Sequence, residues 1–237
     1  MKKHKFLSTA IITSFIIFVG CEFDNYNPPT SFLSGNVVYN GIPVGVRSGG
    51  TELELWEYNW KSSGIISPAK IRVQISQNGS YSARLFDGDY KLVRVAGAPW
   101  INNNTDTISV TVKGNTKLDV PVVPYFIITD EVFTYDPNNS MITSSCNVDK
   151  IGTINIESLT LYVSFTEFVD ANNYVQSHTL QGGDLDDLST IKTNTITLSN
   201  VTPYNMASRE FIFARIGVKT LGVSERLYTP VQKIVLN

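Results

Sequence analysis

Beyond residue 30, apolar and polar positions alternate in short runs separated by Gly, Asn, Asp and Pro. Leu53 and Leu55 alternate with Glu52 and Glu54, and Ile71, Val73 and Ile75 alternate with Arg72, Gln74 and Ser76. Asn78-Gly79 then marks a turn, because both residues tolerate positive φ, and Tyr81, Ala83 and Leu85 resume the pattern. Asp87-Gly88 marks another turn before Tyr90 and Leu92. Ile108, Val110 and Val112 form the next run, Lys113-Gly114-Asn115 turns it, and Leu118, Val120 and Val122 return. No long segment carries apolar residues at helical spacing, so the pattern predicts strands about every ten residues and a sandwich that covers both sheets.

Pro121-Val122-Val123-Pro124 predicts a domain boundary, because two prolines bracket a strand end and the composition turns richer in Thr and Asn afterwards. Phe126 to Val132 should open the second domain, and Leu159, Leu161, Val163 and Phe165 make a clear alternating strand. Ile196 and Leu198 make a shorter one. Phe211 to Val218 is apolar almost throughout, the mark of a strand covered on both faces, and Arg215 within it must be paired or reach the rim. Pro230 in the last run, Tyr228 to Ile234, requires an edge or a bulge. The expected fold class is all-β, with two β-sandwich domains over 31–123 and 124–237, the second of immunoglobulin or fibronectin III type.

The first thirty residues read differently. Lys2, Lys3 and Lys5 precede an apolar run from Phe6 to Val19, the layout of a secretory signal rather than a membrane helix. Phe18-Val19-Gly20-Cys21 resembles a bacterial lipobox, although Phe18 stands where such motifs prefer Leu. The resemblance implies a signal peptide over 1–20 and acylation of Cys21, followed by a polar, Pro-containing tether over 21–30. Removing residues 1–20 takes three of the 19 Lys and Arg and none of the 21 Asp and Glu, so the formal charge moves from -2 to -5. An acidic chain of this kind argues against nucleic acid as a partner. Attachment to outer-membrane lipid would come through the acyl chains on Cys21. Only Cys146 then remains, so no intrachain disulfide forms, and it reads as a buried small hydrophobe.

Leu33-Ser34-Gly35-Asn36-Val37-Val38, Gly41-Ile42-Pro43-Val44, Asn78-Gly79-Ser80-Tyr81 and Gly88-Asp89-Tyr90 together resemble the transthyretin-like or carboxypeptidase-regulatory sandwich. With the lipobox and Pro99-Trp100, the chain is similar to a family of Bacteroidetes lipoproteins encoded beside SusD-like glycan-uptake proteins. That likeness implies a place at the cell surface or facing the periplasm, with SusD-like and TonB-dependent uptake proteins as neighbours. It supplies no catalytic residues. The acidic residues after Cys21 resemble the surface-export signal of such lipoproteins.

Candidate chemistry is sparse, and the chain reads as non-catalytic and without a cofactor. With His4 in the signal, a catalytic triad would have to use His178, which lies in a polar stretch expected to be a solvated loop. Asp184, Asp186 and Asp187 beside Gly182-Gly183 are the densest carboxylates and could hold Ca²⁺, yet they lack the twelve-residue calcium pattern, and such residues are usually solvated or cap a short helix. Trp56, Tyr58 and Trp60 share one parity, opposite Leu53 and Leu55, so their rings would emerge on one side of a regular strand and offer a platform to the C–H faces of a sugar. Trp100 beside Asn102, Asn103 and Asn104 offers a ring next to amides. Trp60, Trp100, Tyr58 and Asn102 are therefore the candidate ligand-binding residues, against the alternative that the rings fill a core or the junction between domains. Two readings follow. One is an accessory lipoprotein of a surface glycan-uptake system that binds carbohydrate or docks on SusD-like partners. The other is a structural or assembly lipoprotein in which the sandwiches serve as rigid spacers.

Overall fold

In the computed structural model, which describes residues 27–57, 70–101, 107–198 and 209–236, the alternating runs form strands in four sheets. β1 (Ser31–Tyr39), β2 (Ile42–Pro43), β3 (Glu52–Glu57), β4 (Lys70–Gln74), β5 (Ser80–Leu85), β6 (Gly88–Arg94), β7 (Thr107–Val112), β8 (Asn115–Lys117) and β9 (Val120–Pro121) build the first domain. One of its sheets runs β2-β1-β5, with β8 and β9 added in parallel to β1. The other runs β4-β3-β6-β7. Leu33, Val37, Tyr81 and Leu85 from the first sheet and Leu53, Leu55, Tyr90 and Leu92 from the second are buried in one core, as period-two alternation requires of a sandwich.

β10 (Phe126–Asp136), β11 (Met141–Lys150), β12 (Ile156–Ser164), β13 (Gln176–Gln181), β14 (Lys192–Thr197), β15 (Phe211–Thr220), β16 (Arg226–Tyr228) and β17 (Gln232–Val235) build the second domain. Its sheets run β10-β11-β14 and β13-β12-β15, with β16 and β17 both paired to β15. β15 is central and buried on both faces, in keeping with its unbroken apolar run. The last run is split rather than continuous, because Pro230 has no N–H for the ladder and separates β16 from β17. His178 lies on β13 rather than in a loop, and its Nδ1 pairs with Asn194 Oδ1 on β14. Among the described residues, no helix is long and apolar enough to cross a membrane.

The two domains share an extensive junction. Leu33 through Ile234 belong to one contiguous cluster of buried apolar side chains that includes members from both domains. Gly45 and Tyr228 form an antiparallel bridge across it, with Tyr228 N donating to the Gly45 carbonyl at 2.9 Å. Glu225 N donates to the Gly97 carbonyl at 3.0 Å, and Arg47 Nη2 meets Glu225 Oε1 at 2.7 Å.

Candidate functional site

A groove of about 710 Å³ lies at this junction. Three interruptions of regular pairing create it. Asn40 and Gly41, both at positive φ, reverse the chain between β1 and the two-residue β2, leaving Tyr39 and Ile42 on the wall. In β10 the register shifts between Thr129 and Val132, and Asp130 adopts a φ of 52°, so a bulge puts Asp130 and Glu131 among the groove's lining residues. Pro230 ends β16 and places Thr229 and Val231 along the third side. Because each strand stops pairing here, its apolar residues are left with less cover, and Ile42 is 70% exposed.

The groove is lined mostly by apolar side chains, with Ile127, Ile128, Val44 and Leu227 beside Tyr39, and by a few polar ones. Asn40, Asn78, Asp130 and Glu131 supply amide and carboxylate groups there. Asp130 is held in place by Asn147 Nδ2, which donates to Oδ2 at 2.9 Å, and Asn78 Oδ1 accepts from Ser80 N and Oγ. Gln77 Oε1 is buried with no partner among the described residues. This combination, an apolar face with a few fixed polar groups, is the usual chemistry of a small-molecule site.

Arg215 forms part of the groove wall and settles the question its sequence position raised. It is 1% exposed and meets carbonyls from four separate segments. Nε donates to Thr229 at 2.6 Å, Nη1 to Val46 at 3.0 Å and Val169 at 3.5 Å, and Nη2 to Gln77 at 2.7 Å. The guanidinium also lies 4.6 Å from the centre of the Tyr228 ring. Burial lowers its pKa to about 10, opposed by the nearby Tyr228 and Asp170. Among the described residues no carboxylate lies within ion-pair distance of it. Burial likewise pushes the Tyr228 phenol up.

The sequence-derived site residues are dispersed. Cys21, Tyr58, Trp60 and Asn102 lie outside the described residues. Trp100 is a correction: at 1% exposure its ring has no free face for a sugar. Its backbone bridges Pro124, and the adjoining Ile101 N donates to the Val123 carbonyl, so the ring is drawn into the core where the chain passes between domains. Trp56 does lie on the face opposite Leu53 and Leu55, half-buried, but Lys70 Nζ sits 5.0 Å from its ring centre and its Nε1 donates to Glu54. Asp184 and Asp187 serve local turns: Asp184 Oδ2 accepts from Gln181 N at 3.4 Å, and Asp187 Oδ1 from Ser189 N and Oγ. Asp186 N donates to the Gly183 carbonyl at 3.4 Å. Among the described residues no group of three or more His, Cys, Asp or Glu side chains is gathered to hold a metal.

What sequence reasoning missed is the groove itself. The segment Tyr39-Asn40-Gly41-Ile42-Pro43 carried a signal, a two-residue turn that leaves a tyrosine and an isoleucine on a strand too short to cover them. The β10 bulge carried none, because Thr129-Asp130-Glu131-Val132 reads as ordinary alternation.

Comparisons with known proteins agree on the family. Residues 31–123 match the N-terminal domain described as "Protein of unknown function (DUF3823)", and residues 126–233 match "Domain of unknown function (DUF3823_C)". A crystal structure of a DUF3823 family protein from Bacteroides ovatus is 34% identical, with a TM-score of 0.77 over 87% of this chain and 100% of that one. Another, from Parabacteroides merdae, is 28% identical with a TM-score of 0.76 over 88% and 100%. A candidate carbohydrate-binding protein from Bacteroides uniformis shares the fold at 17% identity, with a TM-score of 0.69 over 88% and 100%. No curated protein matches the chain. The chain belongs to the DUF3823 family, in both of its domains.

Proposed function

We propose that this DUF3823 protein is a non-catalytic lipoprotein of the outer membrane, anchored through Cys21, that binds carbohydrate in the groove between its two domains as an accessory of surface glycan uptake. The observation that carries the reading is the groove: Tyr39 and aliphatic side chains can meet sugar C–H faces, and Asn40, Asn78, Asp130 and Glu131 in its lining can meet hydroxyls. Its volume is that of a site for more than one sugar ring, in the range of about 300–1,000 Å³ typical of ligand pockets. The structure of the Bacteroides uniformis protein described as a candidate carbohydrate binder supports it through the shared fold. The lipobox supports the anchor, and the acidic tether supports export to the surface.

The test is affinity electrophoresis and calorimetry of the chain from Glu22 against soluble glycans, repeated with Tyr39→Ala and Glu131→Gln. A retained glycan whose affinity falls about tenfold or more in either variant is the expected result, a loss on the scale of one ring stack or one charged hydrogen bond. Retention unchanged by both variants would place binding elsewhere. A second reading has its own observation: the exposed Ile42 on the open edge of β2 favours a protein segment in the groove, as an assembly role requires. Silence across glycans, together with cross-linking of an envelope protein from a photo-reactive residue at position 42, would select it. The anchor is tested by lipid labelling, which Cys21→Ser should abolish.

A further inference from the structure

We infer that the end of the first domain at which β1 starts is a lipid-contact surface, on which Phe32 and Phe86 enter the interfacial layer of a bilayer while Arg84 and Lys113 meet its phosphates. The inference rests on the lipid anchor proposed at Cys21, and it concerns a surface separate from the groove.

Three chain segments are fastened together at this end. Phe32 N donates to the Gly114 carbonyl at 3.0 Å, and Gly114 N donates to Ser31 Oγ at 3.0 Å and to Asp87 Oδ1 at 3.1 Å. The Ser31 hydroxyl donates to the same Asp87 oxygen. The start of β1, the β5–β6 turn and the β7–β8 turn therefore form one fixed tip. Phe32 and Phe86 flank the paired residues Ser31 and Leu85, and they are 41% and 44% exposed. Single exposed apolar side chains are ordinary on a protein surface, whereas two aromatic rings on one tip make a patch with something to gain from an apolar neighbour.

The chain itself brings lipid to this tip. Arg84 Nε donates to the Pro29 carbonyl, and the Arg84 guanidinium lies 6.0 Å from the centre of the Phe32 ring, so the segment that follows Cys21 arrives against both. Eight residues lead from Cys21 to Pro29, a reach of at most about 29 Å. A contact tethered at that range acts at an effective concentration in the millimolar region, so even a weak one is occupied. The local charge fits as well, although the chain without its signal is acidic overall. Asp87 is taken up by Ser31 and Gly114, and Asp89 Oδ1 accepts from Thr111 Oγ1 at 2.6 Å. Among the described residues neither Arg84 nor Lys113 forms an ion pair. Their long stems can lie along an apolar surface while the charged heads reach phosphate. β1 begins at this tip with Ser31 and ends in the groove wall with Tyr39, eight steps of strand and roughly 26 Å away. Contact at the tip would thus hold the groove clear of the lipid.

The test holds the chain from Glu22 on phosphatidylcholine vesicles through an N-terminal histidine tag and nickel-chelating lipid. It reads the tip whether or not Cys21 is acylated in cells, while lipid labelling of the native chain reads the anchor, so the two can fail separately. In a Cys146→Ala background, one fluorophore is placed at Asn115→Cys, paired with Phe32 at the tip, or at Ile42→Cys in the groove, and is quenched by nitroxide-bearing lipid. Quenching at position 115 should exceed that at position 42 by about threefold or more, and should fall to the level of position 42 when Phe32→Ser and Phe86→Ser are combined, because binding scales with the apolar area inserted. Mere nearness to the tag predicts no such fall. If circular dichroism shows the double variant unfolded, Phe86→Ser alone, in a turn, carries the test and should remove about half of the excess. Equal quenching at the two positions, or quenching at 115 unchanged by these substitutions in folded protein, would overturn the lipid-contact surface.

Discussion

Cys146 is buried on β11, and burial pushes its thiol up from an ordinary 9.0 to about 12. The native thiol is therefore protonated and shielded, and it should resist a thiol reagent until the chain unfolds. The raised value also fixes a sign. As pH rises above about 9 the unfolded chain sheds this proton while the folded chain keeps it, so stability is full below that pH and falls toward pH 12, by no more than about 1.4 kcal/mol per unit for one group. Tyr81 and Tyr228, also raised by burial, add to the fall above their ordinary 10.0. Urea midpoints should decline from pH 9 upward, and Cys146→Ala should delay the onset; a flat profile to pH 11 would contradict the burial argument. Cys146 was legible in the sequence because, with Cys21 expected to be acylated, a lone thiol reads as a small buried hydrophobe. Trp100 was not: Asn102 to Asn104 stand beside it along the chain, whereas its backbone pairs with Pro124 at the domain boundary. Linear neighbours suggested a wet site, and the actual pairing made a core.

Among elements, the strands with clean alternation were readable and their partners were not. Asn78-Gly79 and Asp87-Gly88 carry hairpin chemistry, yet β4 and β5 lie in different sheets, as do β5 and β6. These turns are corners of the sandwich. Local residues set the reversal, while the choice of sheet is made by which apolar face finds the core. β11 escaped notice because Ser144 and Cys146 occupy inward positions between Ile142 and Val148, and β13 because its residues are mostly polar and only part-covered. The run Leu118 to Val122 was expected to return as a strand; only Val120–Pro121 of it does so, as β9, which with the preceding β8 docks parallel to β1. Gly35 explains how that docking is possible. A Cβ there would collide with the Leu118 carbonyl oxygen and stand 2.6 Å from its carbon. Gly35→Ala must push β8 and β9 away from β1, and it should cost about 3 kcal/mol, at the upper end of what overpacking does. For a chain of this size that is a fall of roughly 10 °C in melting temperature, read by circular dichroism. An unchanged melt would mean the crossing is looser than its geometry implies.

At the scale of the molecule, the issue is whether two sandwiches behave as beads on a string or as one body. Isolated contacts between domains usually permit relative motion. Here the apolar cluster is contiguous, Gly45 and Tyr228 form a single β-bridge across the boundary, and Arg215 from the second domain donates to Val46 and Gln77 in the first. An arginine suits this role because its planar fork serves several carbonyls at once, which a lysine cannot. Replacing it by methionine recovers the cost of burying a charge but strands the carbonyls of Val46, Val169 and Thr229, while the Gln77 carbonyl keeps its bond from Val46 N. Hydrogen bonds from a charged donor contribute about 1.5–3 kcal/mol each, so the balance falls on the destabilising side, by about 3 kcal/mol. The native chain from Glu22 should unfold in one transition by calorimetry and by tryptophan fluorescence. Arg215→Met should split it into two, as each domain then melts on its own core. The groove spans the junction, so the same variant should weaken whatever it binds, without touching Tyr39. A single, unshifted transition in Arg215→Met would assign the coupling to the apolar contacts alone and leave the guanidinium as a feature of the groove wall.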